Sequence, residues 1–195
     1  MITEKMKPDE CEAVSALIAD AFYSKFRPKV KLSKRELQTI ISRIWLGEAD
    51  NLGLSLWTVK KNGHIVGAYG LSEYVKTQIT PSMLGKLTAV IRHLGLLRFF
   101  KFIKILIETN HRLGRNELYI DFIAVKEGNR NQNIGHFIME NIIERSAEIE
   151  TIQTVSLFVL KENDHARHLY EKFGFTQSQD VKSRKYDFLV RKLKK

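Results

Sequence analysis

LYIDFIAVKEGNRNQNIGHFIMENIIER, residues 118–145, decides how this chain is read. Its first eight residues are mostly β-branched or aromatic, the composition of a strand. From Ile134 onward it reads as a helix. The connecting KEGNRNQN, 126–133, is short and polar, and Gly128 and Gly135 permit tight turning or a close backbone approach. A loop at a helix N-terminus presents unpaired backbone N–H groups and the positive end of the helix dipole. That combination suits a phosphate, and Arg130 adds a cation beside it. The loop has neither the G-x-x-x-x-G-K-S/T pattern nor G-x-G-x-x-G. Taken alone, a packing glycine and a solvated arginine explain it as well as a ligand does.

The surrounding pattern gives the loop a context. Ile2 to Met6 is a candidate first strand, and Pro8 and Asp9 open a helix with Ala13, Val14, Leu17, Ile18 and Ala21 at helical spacing. SKFRPKVKL, 24–32, reads as a basic linker. Ser33 and Glu36 form a capping box ahead of Leu37, Ile40, Ile41 and Ile44, and Gly47 is the expected stop. Leu54–Lys60 and His64–Leu71 are strands joined by Asn62-Gly63, the pair that a type I′ turn requires. Residues 80–109 read as one or two helices, with Gly95 as the break. Further strands are expected at 151–160 and 186–191, and a helix at 163–173 ended by Gly174. Without repeats or a convincing linker, 1–195 is expected to be one α/β domain.

Composition narrows the class. A single cysteine, Cys11, excludes an internal disulfide framework and a Cys-rich metal site, and it fits a cytoplasmic setting. The six histidines show no metal-ligand spacing, so no metal is expected. The N-terminus lacks the apolar stretch of a signal peptide. Between Met83 and Ile107, Lys86, Arg92, Arg98, Lys101 and Lys104 interrupt every apolar run, so no membrane span is expected. The net charge of +10 attracts polyanions in general.

Two motifs, in order, resemble the GNAT superfamily of acyl-CoA N-acyltransferases. Arg130-Asn131-Gln132-Asn133-Ile134-Gly135 resembles the family's pyrophosphate loop, Q/R-x-x-G-x-G/A, with Val125 at the strand end that precedes it. Asn133 departs by replacing the middle glycine, although asparagine tolerates left-handed backbone better than most residues. LFVLKENDHARHLYEKFGF, 157–175, resembles the family's strand followed by N-x-x-A-x-x-x-Y-x-x-x-G-F, matched by Asn163, Ala166, Tyr170, Gly174 and Phe175. The resemblance implies a central mixed, mostly antiparallel sheet flanked by helices, with a splayed strand pair at the cofactor cleft. It also implies acetyl-CoA as co-substrate. Arg130 and the amides of Asn131, Gln132, Asn133, Ile134 and Gly135 would hold the pyrophosphate. Val125 and Lys126 would lie along the pantetheine arm, and Asn163 and Tyr170 would flank the cleft.

Acyl transfer to an amine needs a proton acceptor, a stabilised carbonyl oxygen and a proton for the departing thiolate. The resemblance makes Tyr170 the proton donor, since a phenol is protonated at neutral pH. The Val125 amide is the candidate for the carbonyl oxygen. For the base, strict strand alternation puts Tyr119, Asp121, Ile123 and Val125 on one side and Ile120, Phe122 and Ala124 on the other. Asp121 would then share the cleft face with Val125. Glu117 is a weaker candidate. Structural roles for Asp121 and Tyr170 stay open at this point.

The acceptor, a small-molecule or protein amine, is expected to meet the N-terminal half. The basic, apolar stretch 83–107 reads as a core helix whose cations face water. A lid, or a peripheral membrane contact, is the alternative, and a homodimer also stays open. Two other functions compete: a non-catalytic acyl-CoA sensor, which needs neither Asp121 nor Tyr170, and a nucleic-acid binder. The latter is not expected, because the chain has no recognisable nucleic-acid motif.

Overall fold

The structure is a computed structural model that describes residues 1–76, 80–109, 111–181 and 183–193. Among these residues seven strands form one sheet: β1 (Ile2–Lys5), β2 (Leu54–Lys61), β3 (His64–Glu73), β4 (Glu117–Val125), β5 (Thr154–Leu160), β6 (Thr176–Gln177) and β7 (Tyr186–Lys192), in spatial order β1-β2-β3-β4-β5-β7-β6. Only β4 and β5 run parallel; every other neighbouring pair is antiparallel. Helices α1 (Cys11–Val30), α2 (Lys34–Ile40), α3 (Pro81–Leu94) and α4 (Leu96–Ile107) pack on one face, and α5 (Ile134–Glu148) and α6 (Asp164–Lys172) on the other. Each face has its own core. One gathers Val14, Ile18, Phe26, Leu37, Phe102 and Phe122; the other gathers Tyr69, Ile120, Ile138, Met139, Leu157 and Phe175.

Local chemistry accounts for most element ends. Asn62 and Gly63 take φ of 52° and 77°, the two positive angles of the β2–β3 turn. Ser33 Oγ accepts from the Glu36 amide at 3.2 Å while the Glu36 carboxylate accepts from the Ser33 amide at 2.8 Å, closing the capping box that starts α2. Thr80 caps α3 by accepting from the Met83 amide, and Gly95, at φ 74°, separates α3 from α4.

Two expectations fail here. The segment 24–32 is not a linker, because α1 continues through Pro28 to Val30. A proline inside a helix costs about 3 kcal/mol. Burial of Phe26, Val30 and Leu32 offsets that cost, at about 1.5–3 kcal/mol for each side chain. Phe26 stacks on Phe102 of α4 at 5.2 Å. Arg98 then reaches across to donate to the Val30 and Lys31 carbonyls at 3.1 and 3.0 Å, satisfying the end of α1. Gly47 is likewise not a stop. After α2 the chain widens into a π turn, Ile41–Trp45, and tightens into two 3-10 turns, ending at Gly53 with φ 65°. A side chain on Gly53 would also strike the Glu73 carbonyl at 2.8 Å, so glycine is required there rather than at position 47.

The sheet contains the feature that matters most for the site. β4 and β5 pair only from Glu117/Thr154 to Ile120/Leu157, although β4 continues to Val125 and β5 to Leu160. Beyond that point the two strands part. At the same level β4 carries a bulge: Ile120 faces Leu71 and Phe122 faces Gly70, so Asp121 is an extra residue.

Candidate active site

The bulge overturns the expected alternation. Ile120 packs in the core beneath α5, whereas Phe122, two residues on, packs in the core beneath α1 and lies 5.2 Å from the Trp45 ring. Asp121 therefore does not share a face with Val125. It lies on the α1 side, among the residues that wall a chamber between the sheet, α1, α2 and α4. Val125 belongs to the opposite core and lines a different cavity.

That second cavity is a cleft of about 690 Å³ between the start of α5 and α6. Its wall includes Val125, Arg130, Asn131, Asn133, Ile134, Gly135, Asn163 and Tyr170. Asn131 and Asn133 take left-handed φ of 62° and 58°, so asparagine adopts the backbone that a glycine would otherwise supply. Asn133 precedes α5 without capping it through its side chain. The first turn-closing bond there runs from the Phe137 amide to the Asn133 carbonyl. Among the described residues, no group accepts from the amides of 131–136, and the Arg130 guanidinium has no carboxylate partner. Those are free donors around the positive end of a 15-residue helix. Gly135 keeps the floor low, since an added Cβ would press on Leu169 at 3.2 Å.

Two expected members are not brought to this wall. The Lys126 amide donates to the Val66 carbonyl of β3 at 2.9 Å, so it is spent inside the sheet. Successive amides of a strand point to opposite neighbours. The Val125 amide therefore faces the gap left by β5. Gln132 turns away: its side chain accepts from Lys61 at 3.0 Å and donates to the Gly128 carbonyl.

α6 is held firmly where it lines the cleft. Asn163 caps it by accepting from the Ala166 amide at 3.2 Å, and Gly174, at φ 77°, follows its end. Arg167 pairs with buried Asp187 of β7, and Arg191 donates to the Phe173 carbonyl at 2.7 Å. His165, His168 and Lys172 join the cleft wall from the same helix. Sequence reasoning missed them, although their three- and four-residue spacing from Tyr170's neighbours was the available signal.

Between the parted strands runs a groove of about 210 Å³ that lies between the two larger spaces and shares wall residues with each. It shares Ala21, Ile123, Asn163, Ala166 and Tyr170 with the cleft. It shares Phe22, Lys25, Thr109, Tyr119 and Asp121 with the chamber. Tyr170 thus stands at one junction and Asp121 at the other. Burial raises the Tyr170 phenol to about 12, with no charged neighbour contributing. Burial likewise raises the Asp121 carboxyl to about 7, against a smaller opposing pull from the Ser72 hydroxyl. Its Oδ2 atom is buried and without a hydrogen-bond partner among the described residues. Tyr119 is pushed up as well, by burial and then by the charges of Asp121 and Glu117. Glu117 itself is fully engaged. It accepts from His111 at 2.9 Å, from the Gly114 amide at 2.9 Å, and from Ser156. Among the described residues no group of acidic, histidine or cysteine side chains could hold a metal.

The family model for the GNAT acetyltransferases matches residues 13–175. The chain belongs to the GNAT acetyltransferase family. Solved GNAT structures share its fold from end to end. An N-acetyltransferase from Staphylococcus aureus Mu50 superposes with a TM-score of 0.64 at 14% identity, over 99% of this chain and 100% of that one. A structure described as an acetyltransferase gives 0.63 at 15% identity, over 100% of both chains. A ribosomal-protein-alanine N-acetyltransferase from Brucella melitensis gives 0.61 at 12%, over 99% and 100%. At such identities the likeness speaks for the fold alone. Among curated proteins, no sequence matches. In GNAT terms, the parted β4–β5 pair is the expected splay, and the sheet is mixed and mostly antiparallel as the family requires.

Proposed function

We propose that this GNAT protein transfers an acetyl group from acetyl-CoA to a primary amine by direct attack within a ternary complex. The observation that carries this reading is the groove between a donor-rich cleft and a second chamber, sharing Tyr170 with the one and Asp121 with the other. The residues present fit the co-substrate. Arg130 and the unpartnered amides from Asn131 to Gly135 would hold its diphosphate, and Asn163 and Ala166 would flank the arm that enters the groove. When bound, acetyl-CoA supplies an activated thioester carbonyl.

The chain's own residues then manage the protons. Asp121 accepts a proton as the amine nitrogen bonds to the carbonyl carbon; a base titrating near 7 is well matched to neutral pH. The Val125 amide, directed into the gap, donates to the carbonyl oxygen as negative charge develops. Tyr170, still protonated at neutral pH, donates its phenolic proton to the sulfur as the carbon–sulfur bond breaks. A sensor would need only the cleft. The continuation of the groove to a buried carboxylate favours catalysis.

Acetyl-CoA at a hundred times its dissociation constant is expected to stabilise the fold by about 2.7 kcal/mol. That corresponds to a Tm rise of roughly 5–10 °C for a domain of this size. Arg130→Ala is expected to weaken acetyl-CoA at least tenfold, since a charge-assisted hydrogen bond contributes about 1.5–3 kcal/mol. Calorimetric titration of parent and variant reads both. No heat and no Tm shift at saturating acetyl-CoA would remove the reading.

α4 supports a further contact. It buries Phe99, Phe102 and Ile105, as expected of a core helix, yet leaves Leu97 81%, Phe100 64% and Ile107 61% exposed beside Lys101 and Lys104. No described helix is long and apolar enough to cross a membrane. An apolar face edged by lysines suits the surface of an anionic bilayer. Co-sedimentation with phosphatidylserine vesicles is expected and should fall sharply in Phe100→Glu. Equal sedimentation of both proteins would dismiss the contact.

A further inference from the structure

The chamber beyond Asp121 has a composition that selects its occupant. It measures about 400 Å³, within the range of pockets that hold a small organic molecule. Ile18, Phe26, Ile40, Ile44, Trp45 and Phe102 form much of its wall. Among the described residues, and besides the Trp45 indole, Lys25, Ser72, Thr109, His111, Tyr119 and Asp121 bring polar side-chain atoms to it. Four of these six, Lys25, Thr109, Tyr119 and Asp121, also line the groove, so the polarity is gathered at the reacting end. The far end, toward α2 and the π turn, is apolar.

The charges are equally selective. Among the described residues Asp121 is the one carboxylate on the chamber wall, and its Oδ2 atom is buried without a partner. His111 is already bound to Glu117. Lys25 stands where chamber and groove meet, its ammonium 5.0 Å from the centre of the Tyr186 ring. A second positive group on the acceptor would meet an apolar wall or this lysine, and would find no carboxylate.

We infer that the acceptor is a primary amine carried on an apolar body with no second cationic group, its nitrogen at Asp121 and its body in the chamber walled by Ile40, Ile44, Trp45 and Phe102. The inference rests on the acetyltransferase reading and narrows it. It separates simple arylalkyl or alkyl amines, and amino acids with apolar side chains, from polyamines, aminoglycoside-like polycations and lysine-rich peptides. Lys25 would meet the carboxylate of an amino acid and play no part for a simple amine.

The test measures thiol release from acetyl-CoA against straight-chain alkylamines from three to eight carbons, 2-phenylethylamine, phenylalanine, 1,5-diaminopentane, spermidine and a lysine-containing peptide. Each methylene moved out of water is expected to raise kcat/KM about 3–4-fold until the chamber is full. Pentylamine is expected to exceed 1,5-diaminopentane at least tenfold. Lys25→Glu should shrink that gap, and Ile44→Asp, at a half-buried wall position, should flatten the chain-length dependence while leaving acetyl-CoA binding intact. Phenylalanine outrunning 2-phenylethylamine, with the advantage lost in Lys25→Glu, assigns the amino-acid arm; the reverse assigns the simple amine. Independently of turnover, Trp45 emission in a Trp57→Phe background is expected to change saturably with octylamine and not with spermidine. Preference for spermidine or the peptide, with acetyl-CoA bound normally, overturns the inference and leaves the acetyltransferase reading standing. A Trp45 emission that octylamine leaves unmoved, with acetyl-CoA bound normally, also overturns the inference, and turnover of no amine at all defeats the parent reading with it. Absence of acetyl-CoA binding defeats the parent reading instead.

Discussion

Asp121→Asn is expected to lose activity and gain stability together. The turnover lost should be about 10²–10⁴-fold, the usual contribution of a positioned base. The stability gained follows from the environment of the carboxylate. Burial holds Asp121 at about 7 instead of 3.8, a displacement equivalent to roughly 4 kcal/mol between its charged and neutral forms. Below about pH 4 the carboxyl is neutral in the folded and unfolded chain alike, and parent and variant should melt together. Between pH 4 and 7 the unfolded carboxyl ionises while burial keeps the folded one protonated, so the parent loses stability that the asparagine variant keeps, and the loss is complete once the folded carboxyl ionises above 7. The Tm difference should therefore open between pH 4 and 7 and level off above pH 8, on the order of 10 °C. Thermal melts across pH 4–9 measure it. In the parent, kcat/KM should rise through pH 7 as Asp121 becomes a base, and that limb should vanish in the variant. A variant that melts with the parent at pH 8, or that retains the limb, would place the base elsewhere.

Tyr170→Phe is expected to act on chemistry alone. The phenol sits at the junction of cleft and groove, raised to about 12 by burial. Removing its oxygen should reduce kcat by about 10²–10³-fold, because the thiolate then departs without a proton. Acetyl-CoA affinity, set mainly by the turn at 130–135, should change by no more than about threefold, and stability should move within about 1 kcal/mol. An aryl thioester donor distinguishes this role from a packing role. Its thiolate leaves without help, so the deficit of the variant should shrink with that donor. A deficit that is the same for both donors, or that appears in acetyl-CoA binding, would make Tyr170 a wall residue.

Both predictions depend on Asp121 and Tyr170 flanking one groove, and the sequence disclosed only half of that. The turn before α5 was legible because its chemistry is local. Asn131 and Asn133 tolerate positive φ, Gly135 allows close approach, and a strand leading into a helix supplies free amides wherever it occurs. The capping box at Ser33, the Asn62-Gly63 turn and the break at Gly95 were legible for the same reason. Each depends on residues within four positions of one another.

What escaped the sequence depended on partners far along the chain. The segment 24–32 reads as a basic linker until Phe102 and Arg98 of α4 are seen to hold it as the end of α1. Alternation along β4 is a sound local rule, but a bulge is decided by pairing, here with Gly70 and Leu71, and it moved Asp121 to the face opposite Val125. The amphipathic pattern of 83–107 identified helices without showing that α4 would keep a second apolar face. The divergence of β4 from β5 is a property of two strands, and the apolar chamber is assembled from α1, α2, α4 and the sheet. Backbone conformation is set over a few residues and can be read from them. A cavity is the space left when distant elements pack, and its shape and charge exist only once they meet.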